Sequence, residues 1–296
     1  MSDHHLKRIW SRSTGGVALA LGLAACSAAQ IPMDEATAAK APGEIVADCC
    51  SGAGDYPDWA IELADANVEL MRQVGLIQLR RGYMGQIPEA VSLVKASLEP
   101  LDIVFLHNRN RMSGQLIPGQ FTHGAIYMGT EAQLRAAGLW HLKALDPWRE
   151  QIARGDIYME AVDGGVRLAP AEVVLNTDAV VMLRPQGMSR AAILNRGMAR
   201  MGVPFDMRFD AGDHSKLFCA ELIGEMYPAA HLPHSPVPAL NRETILIDKI
   251  VAGVLSLNLP FRLVGYVKAD AKGSARALSA QALAWDIHQA WPAPPR

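Results

Sequence analysis

Cysteine is scarce in this chain, with four in 296 residues. That is too few for a disulfide-stapled scaffold, and no CxxC pair offers a structural zinc site. Charge of one sign is scarce as well. Lys and Arg number 28 against 30 Asp and Glu, a formal net charge of −2. With no basic excess to grip a phosphate backbone, nucleic acid is not an expected partner. Charged residues make up 20 % of the chain and apolar residues 50 %. This balance excludes a disordered chain and leaves enough apolar material for one or two packed domains. The uncharged run at residues 15–25 is too short for a bilayer-spanning helix, which needs roughly 20 residues.

What that run does fit is an export signal. Lys7, Arg8 and Arg12 precede it with a single acid, Asp3, and it ends on small residues before Cys26. A basic segment, a short apolar stretch and a small-residue cleavage site are removed on secretion. Leu23-Ala24-Ala25-Cys26 resembles the lipobox of bacterial lipoproteins. The resemblance implies that Cys26 becomes the acylated first residue and that acyl chains tether the protein to a membrane, each buried CH₂ contributing roughly 0.8 kcal/mol. Ser27 rather than Asp follows, which favours the outer membrane. The expected address is the bacterial cell envelope, facing the periplasm.

Residues 27–56 are rich in Ala, Pro, Gly and Ser and read as a flexible tether. Cys49 and Cys50 lie within it; neighbouring cysteines rarely bridge, because the ring is strained, and no role is expected for them. From Pro57 the pattern turns helical, with Trp59, Leu63, Ala66, Leu70 and Val74 at three- and four-residue steps. A second helical stretch is expected at 87–98. Then the period changes. Short β-prone runs occupy 101–106, 121–128, 157–162, 165–168, 178–184 and 261–267, with Asp163-Gly164 as a hairpin turn between the third and fourth. Helical patterns follow at 189–202, from Cys219 to Met226, and at 242–255, with an amphipathic stretch at 278–291. Strands clustered in the middle and bracketed by helices predict an α+β fold with a central antiparallel sheet of about six strands.

Two residues carry chemistry. Cys219 stands at the start of an expected helix, where unsatisfied N–H groups and the macrodipole favour a thiolate. His123 lies in a β-prone run beside Gly124, which keeps the strand lean. A Cys at a helix start facing a His on a sheet suits thiol hydrolysis, the base taking the thiol proton and later protonating the leaving group. Asp206, Asp210 and Asp213 do not have the spacing of a calcium loop, and turn or cap roles are expected of them. Arg109 and Arg111 sit in a polar loop, 107–120, at the expected mouth of the cleft and are candidate substrate-binding residues for a carboxylate.

Taken in order, the segments around Leu101-Asp-Ile-Val-Phe105, Phe121-Thr-His123-Gly-Ala-Ile-Tyr127 and Tyr158-Met-Glu160-Ala-Val-Asp-Gly-Gly-Val166, then Gly202-Val-Pro-Phe-Asp206 and Phe218-Cys219-Ala-Glu-Leu222, resemble the YiiX/YaeF-type hydrolases. These are circularly permuted papain-like cysteine enzymes of the NlpC superfamily. The order His, acid, Cys is the permuted one. The family pattern carries Tyr where this chain has Phe205 and Phe218, and Ser at Ala220. The resemblance implies a permuted papain-like fold with Cys219 as nucleophile, His123 as base and Glu160 orienting the imidazole, and no cofactor or metal.

The expected organisation is a signal peptide at 1–25, lipidated cysteine and tether at 26–56, a helical segment at 57–98, a catalytic domain at 99–270 and a helical tail at 271–296. The expected activity is cleavage of an amide bond through a thioester, in a peptidoglycan stem peptide or another amide substrate. The rivals are a lipid-directed thiol acyltransferase or lipase on the same core, and a catalytically silent lipoprotein that binds cell-wall fragments.

Overall fold

The computed structural model describes residues 31–50 and 58–291; the expected export signal and Cys26 lie outside the described residues. Among the described residues nine strands form in chain order: β1 (Asp102–Leu106), β2 (His123–Tyr127), β3 (Tyr158–Val162), β4 (Gly165–Ala169), β5 (Ala179–Pro185), β6 (His234–Val237), β7 (Arg242–Ile245), β8 (Phe261–Ala269) and β9 (Ala275–Leu278). Seven build one sheet in the order β4-β3-β2-β1-β5-β8-β9, and β6 pairs with β7 apart from it. All paired neighbours are antiparallel. The fold is the expected α+β class. Every residue of β1 is buried, so helices cover both faces at the sheet centre, and this explains why the strand reads as an unbroken apolar run.

The hairpin at Asp163-Gly164 forms as its turn residues require. Gly164 has φ +97° and Gly165 φ +104°, the left-handed region that glycine occupies without penalty. At Gly165 a Cβ would also lie 2.6 Å from the Val203 carbonyl oxygen. This two-residue turn sets the register of β3 on β4, pairing Val162 with Gly165 and therefore Glu160 with Arg167. On the other side of β3, Ala125 pairs with Glu160. His123, two residues before Ala125, is then a diagonal neighbour of Glu160 on the same face of the sheet.

Four local expectations change. The helix expected at 242–255 begins only at Ile247, because Arg242–Ile245 pairs with His234–Val237 as β7. The tail is not wholly helical: Ala275–Leu278 joins the sheet as β9 before the Ala280–Ala290 helix. The helical stretch after residue 57 breaks at Asn67 into Asp58–Ala66 and Val68–Gly75, and its apolar stripe faces outward, with Trp59 67 % exposed and Leu63 and Leu70 exposed too. Lastly, residues 33–50, read as tether, carry two one-turn helices, Glu35–Ala38 and Pro42–Ile45. Ile45, Val46 and Cys50 of this segment are buried, and Cys49 and Cys50 are joined by a disulfide, contrary to expectation.

Two buried carboxylates organise the frame. Asp102 on β1 receives Arg184 of β5 through two hydrogen bonds, 2.9 and 2.7 Å, and the Glu99 amide at 2.8 Å. Its charge is thereby compensated on all sides, the condition under which a buried ion pair is tolerated. Asp248, in the Ile247–Leu255 helix, accepts the Gln120 amide at 2.6 Å, the Phe121 amide at 2.9 Å and the Trp291 indole N–H at 2.7 Å. It thus pins the chain just ahead of β2. Burial pushes its carboxyl up to about 6 despite these three donors.

Candidate active site

Cys219 is the first residue of the Cys219–Met226 helix. The helix starts there because Phe218 is extended (φ −95°, ψ 171°). Residue 217 is fixed beforehand by the parallel bridge Phe205–Leu217, with the Leu217 amide 2.9 Å from the Pro204 carbonyl. No side chain caps the helix start, so the first-turn N–H groups point outward without intrahelical partners. The helix packs on β2 through Ile223: a Cβ at Gly124 would lie 3.0 Å from the Ile223 Cδ1 and 2.9 Å from the Phe105 ring. The lean strand expected at Gly124 is therefore what admits the Cys219–Met226 helix.

Cys219, His123 and Glu160 line one cleft of about 280 Å³. The His123 Nε2 lies 2.9 Å from the Glu160 Oε2, and the Cys219 thiol is close enough to the imidazole to favour its charged form. Burial disfavours the charged ring, but the thiol and Glu160 outweigh it, and the His123 pKa is raised. Glu160 is buried, which favours its neutral form, yet His123 and Arg167 hold its pKa below the usual value.

Arg167 is the functional neighbour that the sequence reading missed. Its Nε and Nη2 donate to Glu160 Oε1 at 3.1 and 2.8 Å, leaving Oε2 for the imidazole. The signal was present: with a two-residue turn at Asp163-Gly164, Arg167 is the only residue that can face Glu160 across the hairpin.

The remaining wall of the cleft is mixed. Phe205, Met207, Phe209, Leu76, Val173 and Val174 give it apolar lining, and Arg72 and Arg111 join Arg167 there. Phe209 stacks edge to face on both Phe205 and Phe218. Arg111 therefore reaches the expected place. Arg109 does not: its guanidinium donates to the Gly114 and Gly119 carbonyls, both at 2.7 Å, and holds the 109–120 loop in shape. Asp206 and Asp210 fill the turn roles expected of them. Asp206 accepts the Arg208 and Asp210 amides at 2.9 and 2.6 Å, and Asp210 accepts the Gly212 amide at 3.0 Å. Among the described residues no group of three His, Cys, Asp or Glu is placed to hold a metal ion.

A thiol beside an imidazole that is itself held by a buried carboxylate, under the open amides of a helix start, defines a thiol hydrolase. The family comparison agrees. Residues 97–257 match the family of permuted papain-like amidases, YaeF/YiiX, C92, and the chain belongs to that family. It is a cysteine amidase with the permuted order His, acid, Cys. Neither the curated proteins nor the solved structures yield a match.

Proposed function

We propose that Cys219 attacks the carbonyl carbon of an amide to form a thioester. In this reading His123 takes the thiol proton and delivers it to the departing amine, and Glu160 fixes the ring that does so. Water then attacks the thioester, giving up a proton to His123, and the carboxylic acid leaves as Cys219 is regenerated. The amides of Cys219 and the next residue at the helix start are the donors for the oxyanion. The observation that carries the reading is the convergence of Cys219, His123 and Glu160 in one cleft.

For the substrate we infer an amide bond in a peptidoglycan stem peptide, reached from a membrane to which acylated Cys26 tethers the protein. Support comes from the export-like leader and from Arg111 on the cleft wall, which has no ion pair among the described residues and would bind a stem-peptide carboxylate. A second reading, a lipid-directed acyl hydrolase or transferase, is favoured by the exposed Leu76 and Val173 beside the cleft and by Leu116 near them. The deciding experiment incubates the full chain in detergent with purified muropeptides and, separately, with acyl esters, and reads the products by mass spectrometry. Muropeptide cleavage lost in Cys219→Ala supports the first reading. Ester cleavage alone, lost in the same variant, replaces it with the second.

A further inference from the structure

Polar side chains shut away from water normally find partners, and the exceptions call for a reason. Of the buried side chains that keep an unpartnered polar atom among the described residues, only Asn108 and Thr122 line the cleft, alongside Cys219 and His123. Asn108 is 9 % exposed and Thr122 6 %; the unpartnered atoms are Oδ1 and Oγ1. The sheet explains the placement of Asn108. Leu106 pairs with His123 across β1 and β2. The ladder runs one residue further, the His107 amide donating to the Ala179 carbonyl at 3.0 Å and the Asp178 amide to the His107 carbonyl at 3.2 Å. Side chains alternate between faces, so Asn108 shares the face of Leu106 and His123. His107 takes the other face, where its Nδ1 donates to the Gln120 carbonyl. Asn108 also opens a turn, its carbonyl accepting the Arg111 amide at 3.1 Å. Asparagine at such a position commonly bonds its own turn through the side chain, but here Oδ1 does not. Gly114 closes the turn from outside, where a Cβ would lie 2.0 Å from the Asn108 carbonyl oxygen. The backbone thus holds Asn108 at the cleft while its Oδ1 has no part in the loop. The carboxamide turns about its last bond at little cost, which lets Oδ1 swing to meet a ligand.

We propose that Asn108 is a specificity-determining residue whose Oδ1 accepts the N–H of a second amide in the substrate, with the Thr122 hydroxyl as a further partner in the cleft. The inference rests on the peptide substrate proposed above and narrows it to a peptide with another amide close to the scissile one. Two residues along a strand span about 7 Å, and peptide groups of an extended chain recur about every 3.5 Å. The second amide is therefore one or two peptide groups from the bond that meets His123. A buried acceptor rejects a ligand that lacks the matching donor, because the acceptor is then left unpaired. A fatty acyl ester or a lone acyl amide has no second N–H to offer. The same orphan oxygen costs stability before substrate arrives, so an apolar side chain of similar size in its place should not weaken the fold.

The test uses the full chain in detergent, wild type and Asn108→Leu, with a stem tetrapeptide and its depsipeptide analogues, each carrying an ester in place of one uncleaved amide. In the wild type one analogue should lose about tenfold in kcat/KM against the all-amide peptide. In Asn108→Leu that gap should close, while Tm stays at or above the wild-type value. No gap in the wild type, or a gap of equal size in both proteins, would overturn the proposal. A lower Tm with the gap retained would make Asn108 a structural residue and overturn it too. If Asn108→Leu does not fold, Asn108→Ala and the wild-type gap decide. Calorimetric binding of the same peptides to Cys219→Ala separates this inference from the reading it rests on. Peptide bound with the same tenfold preference, yet never cleaved by the wild type, would remove the proposed reaction and keep the role of Asn108. Peptide cleaved without the preference would overturn the role of Asn108 alone, and no peptide bound or cleaved would overturn both.

Discussion

The floor and the helical wall of the cleft are built on opposite principles. The floor, β2 to β4, is positioned by backbone register: Ala125 against Glu160, Glu160 against Arg167. Glu160 is buried there, with the partly buried His123 and the exposed Arg167 bonded to it, and the Cys219–Met226 helix is seated on the floor by Ile223 against Gly124. The wall is the Val68–Gly75 helix, which, with the Asp58–Ala66 helix before it, turns its apolar stripe to solvent. It is tied down by ion pairs, Arg72 to Asp163 at 2.8 Å and Arg242 to Asp65 at 2.7 Å. Backbone register fixes which groups meet, whereas a partly exposed ion pair such as Arg72–Asp163 contributes about 0–1 kcal/mol and weakens with salt. One side of the cleft is therefore held by backbone pairing and buried packing, and the other by side-chain ion pairs.

The contrast should break most severely at the thiol. Cys219→Ala should lower kcat on any cleaved amide by about 10⁴-fold or more, measured in single-turnover assays, with the fold intact by circular dichroism. Next comes the carboxylate. Glu160→Gln keeps the shape but removes the charge that helps hold His123 protonated, and should lower kcat by about 10²–10⁴-fold. The alkaline limb of Cys219 alkylation should move to lower pH in the same variant, since the His123 pKa falls when Glu160 is neutral. Ile223→Ala should destabilise by about 2–5 kcal/mol in denaturant titrations, because the side chain is wholly buried against β2. Arg111→Ala should raise KM for a carboxylate-bearing substrate about tenfold, near 1.4 kcal/mol, and leave kcat unchanged. The smallest effect belongs to the wall. Trp59→Ser and Leu63→Ser should shift stability by no more than about 0.5 kcal/mol, and a loss of several kcal/mol would mean that the stripe is packed after all.

Much of the floor could be read from the residues. Asp163-Gly164 announces a two-residue turn, and that turn dictates the partner of Glu160, so Arg167 was within reach of register arithmetic. The helix at Cys219 showed in the apolar pattern through Met226. Other features depend on neighbours distant in sequence. The stripe from Trp59 to Val74 has helical period, but period does not say which face finds a partner. The run 242–245 pairs with 234–237 across a short turn that begins at Pro238, and that pairing overrides its local helical pattern. Arg109 and Arg111 look alike in the loop; only the fold shows that carbonyls at Gly114 and Gly119 claim one and leave the other at the cleft.

The clamp at Asp248 has a consequence for the order in which the protein matures. The amides of Gln120 and Phe121, which lead the chain into His123, find their acceptor on a residue made more than a hundred positions later, and that acceptor is completed by Trp291 later still. During synthesis the sheet centre and the His123–Glu160 pair can assemble while these two amides are still served by water. The base is thus in place well before the backbone that presents it is locked, and the lock closes only when the Ala280–Ala290 helix arrives with its indole. A ribosome-stalled chain ending before residue 248 should hold a formed β1–β2 pair whose leading amides exchange with solvent at an open-loop rate. That rate should fall once the chain extends past residue 291.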